Sequence, residues 1–109
     1  MKHKDRIILE KVLSEIQLAQ EMINDCSLEQ FRQNEILMRA VSMTVINIGE
    51  LVKNLSEETR LASPKIPWRA IAGFRDIVAH KYQTLRMEDV YETVTTDFPP
   101  LKEQIEALL

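Results

Sequence analysis

This sequence predicts an all-α fold, an antiparallel helical bundle of four to five helices, and three observations carry that expectation. Only two glycines and four prolines occur in 109 residues, too few turn formers for a chain of many short strands. Apolar residues return at intervals of three and four along most of the length, which is the period of a helix face. The composition, 45% apolar and 28% charged, is that of a folded globule large enough for one core. The whole of residues 1–109 therefore reads as a single domain, with no repeat and no low-complexity tract.

The elements follow in order. Residues 5–24 carry Ile8, Val12, Ile16, Ala19 and Ile23 on one stripe, widened by Leu9 and Leu13, the pattern of an amphipathic helix. Asn24, Asp25, Cys26 and Ser27 break it, and Ser27 suits the N-cap of a second helix with Gln30 at the capping-box position. That helix is expected over residues 28–55. Its middle, ILMRAVSMTVINIGELV, is apolar around most of the circumference, so one side is expected to pack in the bundle and the other on a second copy of the chain. Met38 and Met43 belong to this packing. Residues 56–67, SEETRLASPKIP, read as a loop with at most one helical turn.

Pro67 suits the start of a third helix, because a missing N–H costs nothing there. Trp68, Ile71, Ala72, Phe74, Ile77 and Val78 form its apolar face, which ends near His80. A fourth helical pattern runs from about residue 87 through Val90, Tyr91 and Val94, and a last one through Leu101, Ile105 and Leu108. Between them Asp97, Phe98, Pro99 and Pro100 must kink or interrupt the helix.

Charge and cysteine content exclude several classes of function. The formal net charge of −3 speaks against wholesale wrapping of nucleic acid. Residues 60–86, however, hold Arg60, Lys65, Arg69, Arg75, Lys81 and Arg86 against Asp76 alone, a basic middle in an acidic chain that could attract an anion locally. The single cysteine, Cys26, forms no internal disulfide, and the charged N-terminus lacks the apolar run of a signal peptide. A cytoplasmic home is expected, with no membrane contact.

The stretch GFRDIVAHKY, residues 73–82, concentrates the chemistry. Asp76 and His80 lie four apart and share a helix face, so the carboxylate could accept an imidazole N–H and suit the ring to acid–base work near neutral pH. Arg75 and His80 lie five apart, about 140° around the axis and about 7.5 Å along it. They do not naturally meet, although the long arginine side chain could reach round if the helix loosens before Lys81. Two copies across a two-fold axis would bring one of each into a shared cleft, where guanidinium groups grip phosphate oxygens. A structural reading also fits these residues: a histidine near a helix C-terminus complements the dipole, and an Arg–Asp neighbour pair is often solvated surface.

Arg75, four residues, His80, one residue and Tyr82 spell RX4HXY. Together with INIGELVKNLSEETR at 46–60, IPWRAIAGFRDIVAHKY at 66–82 and the tail MEDVYETVTTDFPPLKEQIEALL, this motif makes most of the chain resemble the HepT-like toxins of the HEPN superfamily. The resemblance implies an α-helical homodimer with both motifs lining one cleft, acting as a metal-independent endoribonuclease on RNA without a cofactor. It also implies a partner, an MNT-type nucleotidyltransferase antitoxin, that neutralises the toxin by AMP transfer to the motif tyrosine, here Tyr82. Carried over, Arg75 would hold the scissile phosphate and His80 would move protons at the 2′-hydroxyl or the leaving oxygen. A 2′-hydroxyl nucleophile restricts the substrate to RNA and makes a metal unnecessary. Asp76 follows the arginine, where this family often has a polar residue, and is assigned a supporting role.

Asn47, Glu50 and Asn54 are spaced to share one face of the second helix, as candidate cleft-lining residues or as polar groups ending a buried helix. The same resemblance admits an alternative, a noncatalytic HEPN binding module that docks the nucleotidyltransferase or its nucleotide. The acidity and the few aromatic residues speak against tight or sequence-selective RNA binding.

Overall fold

The computed structural model describes residues 1–109, and no residue lies in a strand. Helix α1 (His3–Met22) buries Ile8, Leu9, Val12, Ile16 and Ala19, the stripe that the sequence picks out. It ends in a turn where Asp25 has φ 58°, a left-handed conformation that aspartate tolerates better than most residues. Ser27 then caps α2 (Leu28–Arg32) in a complete capping box: its hydroxyl accepts from the Gln30 N–H at 3.1 Å and its own N–H donates to the Gln30 side chain at 2.9 Å.

The single second helix expected over 28–55 is in fact two. Asn34 leaves the helical region and accepts the Leu37 N–H at 3.0 Å, which starts a new helix, α3 (Glu35–Lys53). An asparagine side chain competes with the helix for backbone donors and so favours a cap over an interior position. Phe31 on the short α2 is fully buried and anchors that break to the core.

α3 is the central helix. It runs antiparallel to α1, since Asn47 meets Glu15 while the following Ser56 meets Asp5 near the start of α1. Val41, Val45, Ile48 and Val52 are buried on it, whereas Ile36 and Met43 remain 82% and 55% exposed. The excess apolar surface read from the sequence is thus only partly used within the chain.

α4 (Glu57–Ala62) is longer than the single turn expected. Ser56 caps it, and Asp5 holds the cap: the buried carboxylate accepts the Ser56 N–H at 3.1 Å, the Ser56 hydroxyl at 2.5 Å and the Thr59 hydroxyl at 2.6 Å. Burial pushes the Asp5 carboxyl up, but these donors outweigh it and hold the group below its ordinary range.

α5 (Trp68–His80) begins directly after Pro67, with the Trp68 indole N–H donating to the Ser63 carbonyl at 3.1 Å. A 3-10 turn (Tyr82–Thr84) leads into a rod over residues 87–106. The rod consists of α6 (Met87–Glu92), a π-helical turn (Thr93–Asp97) and α7 (Phe98–Glu106). Pro99 and Pro100 cannot donate to the carbonyls four residues earlier and their rings crowd them. The helix opens to π register there, with the Phe98 N–H reaching the Thr93 carbonyl, instead of breaking. α1, α3, α5 and this rod are the four main members of the bundle, and α2 and α4 are short links. No helix is long and apolar enough to cross a membrane.

Candidate active site

The site begins at a glycine. A Cβ on Gly49 of α3 would stand 2.1 Å from Arg75 Cβ, 2.7 Å from Arg75 Cγ and 3.2 Å from the Ile71 carbonyl oxygen. Only a residue without a side chain lets α5 approach α3 this closely. The stem of Arg75 consequently lies flat on α3, and the side chain is only 22% exposed.

From that position the guanidinium reaches two carboxylates. Nη2 lies 3.1 Å from Glu50 Oε2, and Nη1 lies 3.1 Å from Asp76 Oδ1, which also accepts from Lys53 Nζ at 2.7 Å. Arg75 Nε is buried without a hydrogen-bond partner. The Lys53 hydrogen bond, with Arg75 adding to it, holds the Asp76 carboxyl below its ordinary range. Such partly exposed pairs contribute little stability; their consequence is geometric, because they hold the arginine fork in one place.

His80 lies elsewhere. It is the last residue of α5 and is exposed, on an outward strip that it shares with Arg69, Gly73 and Ile77 at spacings of four, four and three. The expected Asp76–His80 hydrogen bond is not formed, since Lys53 and Arg75 take the carboxylate. Arg75 turns inward to α3 while His80 faces out, so one chain does not bring the pair together, and the arginine does not reach round the helix.

Tyr82 is half-buried in the 3-10 turn, with the Arg39 guanidinium 5.3 Å from its ring centroid, within cation–π range. Arg39 also donates to Glu35 at 2.8 Å. Asn47, Glu50 and Asn54 line one groove of about 340 Å³ between α1 and α3, together with Lys11, Ser14 and Glu15. Asn47 Nδ2 reaches Glu15 at 3.5 Å, and Asn54 Nδ2 donates to the Glu50 carbonyl at 2.9 Å. Glu50 forms the wall between that groove and Arg75.

Gly49, Lys53 and Arg39 are members of the site that sequence reasoning missed. A lone glycine inside an apolar helix is the usual sign of close backbone approach. Arg39, Ile46 and Lys53, seven apart, mark one strip along α3. No three His, Cys, Asp or Glu side chains gather in a way that could hold a metal ion.

The family profile described as "Ribonuclease HepT-like" matches residues 12–108. The chain belongs to this HepT-like family. Among its relatives, a protein of Caldanaerobacter subterraneus subsp. tengcongensis named "Putative RNase" is 36% identical over 95% of this chain and 93% of its own length. The "Probable ribonuclease HepT" of Thermococcus cleftensis is 32% identical over 99% of this chain and 98% of its own. A Methanocaldococcus jannaschii protein named "Gamma-glutamylcyclotransferase and putative RNase" is 35% identical over 96% of this chain, which spans 47% of that longer protein. No solved structure matches the chain. Arg75, His80 and Tyr82 all fall inside the HepT-like segment.

Proposed function

We propose that this HepT-like chain is a metal-independent endoribonuclease, the toxin of a toxin–antitoxin pair, and that two copies build its cleft. The observation that carries the proposal is the setting of Arg75. In a chain of a ribonuclease family, Gly49 lets the stem of that arginine lie against α3, while its side chain keeps 22% exposure and its Nε–H has no partner. Such a fork binds a phosphodiester and stabilises the charge that grows on it.

The second half of the chemistry comes from the outward strip of α5. Nothing lies within 4 Å of a Cβ built on Gly73, although a glycine inside a helix costs about 0.5–1 kcal/mol relative to alanine. A second helix packed closely against this face would use that space, with Ile77 supplying apolar contact and His80 meeting Arg75 of the other copy. There the imidazole takes the proton of the RNA 2′-hydroxyl, O2′ attacks phosphorus, and the 5′-oxygen leaves with a proton from an imidazolium. The products are a 2′,3′-cyclic phosphate and a 5′-hydroxyl. Asp76, tied to Lys53, supports Arg75 from the side.

Tyr82 is the control point. AMP transferred to its hydroxyl by an MNT-type nucleotidyltransferase adds a negative phosphodiester and an adenosine beside the basic groups an RNA backbone needs. Arg39 against the Tyr82 ring offers that phosphodiester a counter-charge.

The test is RNA cleavage by the purified chain in EDTA. Wild type is expected to cleave, and His80→Ala to lose cleavage with unchanged helicity. Equal cleavage by both sinks the proposal. After incubation with ATP and the partner enzyme, mass spectrometry should find added AMP on wild type and none on Tyr82→Phe. The noncatalytic reading, a module docking the nucleotidyltransferase or its nucleotide, draws support from the two carboxylates that already neutralise Arg75. It gains if the partner binds while no RNA is cut.

A further inference from the structure

Arg75 carries two carboxylates that differ in kind. Asp76 is fixed: its oxygen accepts from Arg75 at 3.1 Å and from Lys53 at 2.7 Å, so moving it breaks two ion pairs. Glu50 is held by one contact only, from its Oε2 to Arg75 Nη2 at 3.1 Å, and its side chain is 54% exposed. It is the exchangeable partner.

The same contact leaves the arginine half-used. Nε and Nη2 form one edge of the guanidinium, the edge that grips a tetrahedral anion through two parallel N–H groups. Glu50 occupies Nη2 alone, and Nε beside it is buried with no acceptor. An unpartnered buried donor is a standing cost. A phosphodiester that displaced Glu50 could accept from both nitrogens and remove it. As the carboxylate leaves, the close crossing at Gly49 still holds Arg75 Cβ and Cγ against α3, and Asp76 still holds Nη1.

We infer that Glu50 is a resident competitor for the phosphate on Arg75: it keeps the fork oriented in the free protein and yields its place to a nucleic-acid phosphodiester. This rests on the reading of Arg75 as the phosphate-binding group. Glu50 is then a positioning residue that weakens binding, so that neutralising it strengthens affinity. A merely structural carboxylate would have the opposite effect or none.

The measurement is fluorescence anisotropy of a labelled all-deoxy oligonucleotide on the full chain, at low salt, since a strand without 2′-hydroxyls binds but is not cut. Glu50→Gln should tighten binding about two- to fivefold, the range expected of a partly exposed ion pair, and the gain should shrink with salt. In an Arg75→Ala background the same substitution should change nothing, and Glu103→Gln, an exposed charge on α7, should leave affinity close to wild type. If RNA is cleaved, KM should fall by the same factor with kcat little changed. Unchanged or weaker binding by Glu50→Gln overturns the inference, as does an equal gain in the Arg75→Ala background. Binding without cleavage by any variant sinks the ribonuclease proposal and leaves the competition intact. An oligonucleotide that binds no variant sinks both.

Discussion

Gly49→Ala probes the crossing on which the site is built. The added methyl would stand 2.1 Å from Arg75 Cβ and 2.7 Å from Arg75 Cγ, where carbon atoms normally settle at about 3.5–4.0 Å. Arg75 Cβ is fixed to its own backbone and cannot rotate away, so α5 itself must retreat from α3 by roughly 1.5 Å on the same contact distance. Overpacking of this kind costs about 1–3 kcal/mol, occasionally more, and alanine's better helix propensity returns about 1 kcal/mol. Because the clash is with a backbone-fixed Cβ, the upper end of that cost applies, and the net expectation is a loss of about 2 kcal/mol, or roughly 8 °C or more in Tm for a domain of this size. Gly73→Ala is the matched control, because nothing lies within 4 Å of its Cβ and only the propensity gain of about 0.5–1 kcal/mol remains. The same methyl should therefore destabilise at one glycine and stabilise at the other. Urea titrations followed by circular dichroism, at concentrations where the chain is monomeric, measure both. A Gly49→Ala protein as stable as wild type, or two variants that shift alike, would refute this account of the crossing.

Three further outcomes are expected. Asp5 and Glu88 both sit below their ordinary range in the folded chain, Asp5 despite burial, through its hydroxyl and N–H donors, and Glu88 through Arg86 first and then Arg32, which bring it from 4.5 to about 2. A depressed carboxyl stabilises the fold above its unfolded value and loses that contribution as pH falls through its folded value. Urea midpoints should be level above about pH 4.5 and drop toward pH 2, and Glu88→Gln should flatten the drop. Asp5→Ala, which takes the acceptor from the buried Thr59 hydroxyl and from the half-buried Ser56 N–H and hydroxyl, should cost about 1–3 kcal/mol at neutral pH; a smaller loss would mean that water replaces the carboxylate. On the outward strip, Ile77→Glu should leave helicity unchanged, since the side chain is 46% exposed, and should shift light scattering from dimer to monomer. A wild-type chain that is monomeric at every concentration would remove the shared cleft.

Much of the fold was legible because its signals are local. The stripe of α1, the capping box at Ser27 and the end of α5 at His80 each depend on residues within one or two turns. The break at Asn34 is local too, but a long apolar run outweighs one polar residue when periodicity alone is weighed, and only the cap geometry separates α2 from α3. The π turn is less accessible. Pro99 and Pro100 predict a disturbance, and whether the helix breaks or opens to a wider register depends on the packing of Val94, Phe98 and Leu101 on the rest of the core.

The site divides along the same line. The spacing of Asp76 and His80 permits a hydrogen bond, yet it ranks only neighbours on one helix, and the group that takes Asp76 is Lys53 on another, 23 residues away in sequence. That partner exists only because Gly49 draws the two helices together, a tertiary effect that no spacing rule contains. The separation of Arg75 from His80 is favoured by spacing, since five residues on a helix place two side chains about 140° apart, but only the packing of the Arg75 stem on α3 rules out that the long side chain reaches round. The inward turn of Arg75 and the outward strip of His80 preserve that separation. One chain therefore holds Arg75 on one side of α5 and His80 on another, and the proposed reaction, which needs a phosphate grip and a proton carrier in one place, needs a second α5 to supply the missing half.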